Sequence, residues 1–164
     1  MAWATVGPGG SHAAAEGTSG SWKFSTDNQD QPELSYSEND KIIFFVGCGH
    51  AFAMWAVYPG ARKRADAKAG ITIENGRSQR NFAGEAQDGS AERGQRDTTY
   101  FYQFDLGYDH SAPDTYGKKW KAREQQLLDF LDSGQPLTIS TEGKSYVLPP
   151  IKIGDWKSRF RKIC

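Results

Sequence analysis

Hydrophobic and polar residues alternate with a period of two along much of the chain, starting at Ser21–Thr26 (SWKFST), where Trp22 and Phe24 share one face of an expected strand. Residues 33–37 (ELSYS) set Leu34 and Tyr36 on one side, 38–41 turn, and 42–47 return, which predicts a hairpin. Because 42–46 are apolar on both faces, this strand is expected inside the sheet, covered on each side. Gly47 and Gly49 flank Cys48 and predict a bulge or tight turn before the apolar pattern resumes over 51–58.

Residues 59–69 are basic and loop-like, with Arg62, Lys63, Arg64 and Lys68. A strand over 71–74 (ITIE) ends at Asn75-Gly76, a hairpin signal, and 77–82 should return antiparallel. Residues 84–97 lack periodicity and read as a loop, after which 98–106 (TTYFYQFDL) concentrate aromatic and β-branched residues in a strand.

The period then changes. Trp120, Arg123, Leu127 and Leu131 recur at spacings of three and four, joined by Leu128 and Phe130, and predict a long helix over about 114–132. Asp114 or Thr115 would cap it, and Ser133-Gly134 would stop it with Pro136 beyond. Residues 137–140 and 146–148 flank Glu142-Gly143-Lys144 as a last hairpin. Asp155 can cap a closing turn of helix in which Trp156, Phe160 and either Ile163 or Cys164 share one side.

These elements predict a mainly β domain over 21–164, an antiparallel sandwich or curled sheet of about eight to ten strands with one long helix and a short C-terminal one. Residues 1–20 are small, Gly-rich and unpatterned, and read as a flexible leader. A chain of 164 residues is long enough to fold as one domain without staples.

Twenty Lys and Arg balance 20 Asp and Glu, so no overall field attracts nucleic acid, and any recognition by charge is local. No apolar stretch approaches the roughly 20 residues of a membrane-spanning helix. The leader lacks the basic start and continuous apolar centre of a secretory signal, so the expectation of export rests on the cysteines.

Those cysteines are Cys48 and Cys164, the only two in the sequence. A disulfide between them would close a long loop and mark maturation in an oxidising compartment. Cys48 and His50, two residues apart, also invite a nucleophile-and-base reading, although no third group presents itself to orient the imidazole. Cys48, His50 and Cys164 could gather round a metal only in space, since no paired-ligand spacing occurs; neither a metal nor a cofactor is expected. Asp105, Asp109 and His110 form an acidic group that reads more simply as loop solvation. A binding surface is expected from Tyr58, Arg62 and Arg64 together with Tyr100 and Tyr102, where cations and rings interleave.

The runs LSYSENDKIIFFVGCG, LLDFLDSGQPLTIS, YVLP and FRKIC resemble a group of exported alphaproteobacterial β-rich domains, broadly similar in design to invasion-associated locus B proteins. That resemblance spans about residues 33–58 and 127–164 and implies an envelope protein with no agreed activity or cofactor. The expectation is therefore a non-enzymatic periplasmic or secreted domain that binds a protein or another envelope component. The alternatives are a hydrolase using Cys48 and His50 or an acidic pair, and a small-ligand carrier.

Overall fold

The computed structural model describes residues 20–27, 30–48, 52–61, 64, 67–86, 101–104 and 113–164, with the backbone alone described at 52, 85–86, 101–104 and 113–120. Nine strands are described: β1 (Ser21–Thr26), β2 (Pro32–Glu38), β3 (Lys41–Cys48), β4 (Phe52–Val57), β5 (Lys68–Glu74), β6 (Gln79–Ala86), β7 (Phe101–Phe104), β8 (Leu137–Thr141) and β9 (Lys144–Leu148). Helix α1 (Pro113–Leu131) lies between β7 and β8, and α2 (Trp156–Ile163) follows β9. The leader expected over 1–20 lies outside the described residues except for Gly20.

All pairings are antiparallel, in the order β1-β2-β3-β4-β7-β6-β5-β8-β9. The run bends until its two halves face each other. Trp22 on β1 donates from Nε1 to the carbonyl of Pro149, just past β9, at 3.0 Å. Tyr146 on β9 donates its hydroxyl to the carbonyl of Val57, at the end of β4, at 2.8 Å. This is the curled, mainly β arrangement that the alternation predicts.

Period-two patterning sends one face of each strand inward. Leu34 and Tyr36, Phe44 and Val46, Met54 and Ala56, Ile71 and Ile73, and Leu137 and Ile139 are all buried in one core. Leu127, Leu128 and Leu131 of α1 and Phe160 of α2 join that core. Asn39 and Asp40 at φ 49° and 61°, and Glu142 and Gly143 at φ 50° and 72°, each join two strands through a two-residue loop, for which Asn, Asp and Gly are the favoured residues and Glu142 is the exception.

Several expectations shift. No bulge falls at Gly47 and Cys48, which pair regularly with Ala53 and Phe52, so that the chain reverses between Cys48 and Phe52. The irregularity lies between β2 and β3, where Tyr36 pairs with Phe44 and Ser37 with Ile42, and Ile43 is passed over. Strand β6 continues to Ala86, where a loop was expected, because Gly84 and Glu85 find partners in Phe104 and Gln103 of β7. Strand β5 begins at Lys68, earlier than its apolar core suggests. Asn75-Gly76 opens a four-residue loop, since Glu74 pairs with Gln79.

Candidate functional site

Cys48 ends β3 on the inward face, and Cys164 directly follows α2; the two are joined by a disulfide with Cα atoms 5.5 Å apart. The pairing depends on how α2 is seated. Its N-cap residue Asp155 lies in the right-handed helical region at φ −63° and ψ −20°, and its carboxylate makes no cap hydrogen bond, unlike the expected cap. The helix is held instead by packing and charge. Phe160 is fully buried, Trp156 stacks on Phe24 at 5.1 Å, and Lys157 reaches Asp129 at 2.9 Å and Asp132 at 2.7 Å. Asp132 also accepts the backbone N–H of Ile153 at 2.7 Å, fixing the approach to the helix. The backbone N–H of Cys164 donates to the carbonyl of Phe160 at 2.8 Å, so the sulfur turns inward while Ile163 stays 46% exposed.

Glu124 on α1 meets the sulfur pair from the third side. Among the described residues, one carboxylate oxygen of Glu124 and the Sγ atoms of Cys48 and Cys164 all lie within 4.8 Å of one another. Glu124 is only 2% exposed, and its Oε1 has no hydrogen-bond partner. Burial pushes its carboxyl up to about 7, against the opposing pull of Lys121. A buried acid with an unsatisfied oxygen is unusual enough to need an explanation.

The sequence pattern placed Arg123 on the inner face of α1, whereas Arg123 is exposed and Glu124 occupies that position. Residues 124, 127, 128 and 131 carry the spacing of three, four and seven that marks one helix face, and all four are buried. That spacing is the signal that could have found Glu124.

Of the other predicted site residues, Tyr58 and Arg64 have described side chains. Tyr58 is 7% exposed, its ring in the core and its hydroxyl donating to Glu142 Oε1 at 2.9 Å. Arg64 is exposed. Arg62 and Tyr100 lie outside the described residues, as do His50, Asp105, Asp109 and His110, while Tyr102 is described by its backbone, opposite Ala56 and Ala86. The predicted cation-and-ring patch as a whole therefore lies outside what the described residues cover. In the oxidised chain both sulfurs are consumed by one bond, so neither offers a thiolate for attack.

A different cationic surface is present. Arg159, Arg161 and Lys162 are exposed along α2, with Lys152 exposed before it and Lys121 and Arg123 exposed on α1. The two helices adjoin there, Arg161 Nε donating to Gln125 Oε1. Arg159 lies over the Trp156 ring, 4.6 Å from its centroid. Asp129, its carboxyl held below the ordinary carboxylate range by hydrogen bonds from Gln125 and Lys157, is the acid on this face that engages Lys157 from an exposed position.

No helix among the described residues is long and apolar enough to cross a membrane, which says nothing of spanning by strands. Comparison with family models, with curated proteins and with solved structures finds no match to this chain.

Proposed function

We propose that this chain is an exported, non-enzymatic binding domain of the bacterial cell envelope, which meets an anionic envelope component through the joined faces of α1 and α2. The observation that carries the reading is the disulfide between Cys48 and Cys164, because such bonds persist outside the reducing cytosol. The exposed cations of α2 support the choice of partner. On a chain whose charges cancel, Arg159, Arg161 and Lys162 concentrate positive charge locally. The resemblance to exported alphaproteobacterial domains agrees with this placement.

Two measurements test the reading. Thiols of the chain expressed in a bacterium behind an export signal are trapped with a maleimide before lysis; the expected result is no labelled cysteine in the periplasmic fraction, and two labelled cysteines there would overturn the oxidised assignment. Purified oxidised chain should then cosediment with envelope fragments at low salt and release at high salt. Charge reversal at Arg159, Arg161 and Lys162 to Glu should abolish the sedimentation, and undiminished binding by that variant would reject the face.

A further inference from the structure

We infer that Cys48, Cys164 and Glu124 form a zinc site when the disulfide is reduced, so that one constellation holds either a covalent bond or a divalent ion. The inference is independent of the proposed binding role, since it concerns the sulfur pair in its other redox state.

Three observations carry it. The donors come from three separate elements, the end of β3, the residue following α2 and the buried face of α1, and they converge without help from sequence proximity. Their ligand atoms lie within 4.8 Å of one another, while zinc bonds of about 2.3 Å to sulfur and about 2.1 Å to oxygen at tetrahedral angles separate donors by roughly 3.5–3.8 Å. Small side-chain rotations around the existing Cα separation of 5.5 Å would bring the sulfurs to that spacing. Finally, Glu124 is 2% exposed and Oε1 is unpartnered. A metal beside it would satisfy an oxygen that the protein itself leaves unmet.

The donor set also selects the ion. Two thiolates with one carboxylate suit borderline-soft zinc better than magnesium or calcium, which require oxygen ligands. Among the described residues no fourth donor joins the group, so a water completes the tetrahedron. The chemistry balances. A dithiol gives two electrons and two protons to the disulfide and leaves as its own disulfide; zinc then displaces one proton from each thiol as the two zinc–sulfur bonds form, and the proton of the Glu124 carboxyl, where it is held, as the zinc–oxygen bond forms.

The test uses the full chain reduced with a phosphine, which transfers the same two electrons and takes oxygen from water. Zinc is titrated against a chromophoric chelator, and folding is followed by circular dichroism with and without the metal. The expected result is one zinc per reduced chain and none per oxidised chain, with a higher melting temperature for the reduced chain when zinc is present. Outer partners of a metal commonly cost 10–100-fold in affinity when removed, so Glu124→Gln, which loses a direct ligand, should weaken binding by at least about tenfold. A reduced chain that stays unfolded until zinc is added supports the site just as well. The inference is overturned if the folded reduced chain takes up no zinc, if the reduced chain remains unfolded with zinc, or if Glu124→Gln binds as tightly as the parent.

Discussion

Glu124 is the residue whose setting costs the fold most visibly. Its carboxyl moves from 4.5 to about 7 because burial disfavours the charged form, the first and larger cause, with Lys121 pulling the other way. The folded chain thus holds a proton that the unfolded chain has lost between those values. Stability from this group is intact below 4.5, falls as pH rises through the window, and is at its lowest above about 7. The difference is on the order of 3 kcal/mol for a side chain this thoroughly buried. In the oxidised chain Glu124→Gln removes the titration while keeping the shape, so its advantage over the parent should grow from pH 4 to pH 8. Urea unfolding of both proteins at the two pH values checks this, and an equal difference at both would mean that folding does not raise the pKa of the carboxyl. Comparing the two proteins, instead of the parent alone, cancels the other carboxylates.

Among elements, the turn between β5 and β6 shows how a loop can organise a helix. Asn75, 4% exposed, donates from Nδ2 to the carbonyl of Phe130 at 2.9 Å, in the last turn of α1. Its Oδ1 accepts the backbone N–H groups of Arg77 and Ser78 at 3.1 and 2.9 Å, while Gly76 takes φ 74° to close the loop. One side chain therefore satisfies the turn and a helix carbonyl together. Asn75→Ala leaves those groups unmet and should cost about 1–3 kcal/mol, read as a lower denaturant midpoint at unchanged slope. A variant within a few tenths of the parent would show that water replaces the side chain freely. The turn was legible as a hairpin from Asn75-Gly76, but its length was not, because the bond to Phe130 joins residues 55 positions apart. The same division runs through the fold. Strand β1 and the Asn39-Asp40 turn follow from neighbouring residues, and were readable. The extension of β6 depends on pairing with β7, which no local pattern carries. The helical spacing of 124, 127, 128 and 131 marks Glu124 as inward-facing, but its meeting with the sulfur pair depends on how three distant elements pack.

Across the whole molecule, the Cys48–Cys164 bond joins residues 116 apart, so it encloses most of the core within one covalent loop. Closing a loop of about 100 residues in the unfolded chain is worth roughly 4.7 kcal/mol by the chain-entropy argument. That stabilisation acts on the unfolded ensemble. In the native state α2 has other attachments, since Phe160 is buried, Trp156 stacks on Phe24, and Lys157 spans Asp129 and Asp132. Replacing both cysteines by Ala should therefore lower global stability by up to about 5 kcal/mol, while the amides of α2 remain protected against hydrogen exchange in native conditions. Unprotected α2 amides in a variant whose core amides stay protected would locate the effect of the bond in the helix itself, and would make the sulfur pair a local latch. Protection that falls together in α2 and the core would instead match a cross-link acting on the chain as a whole, because every native contact except the bond would still open as one unit.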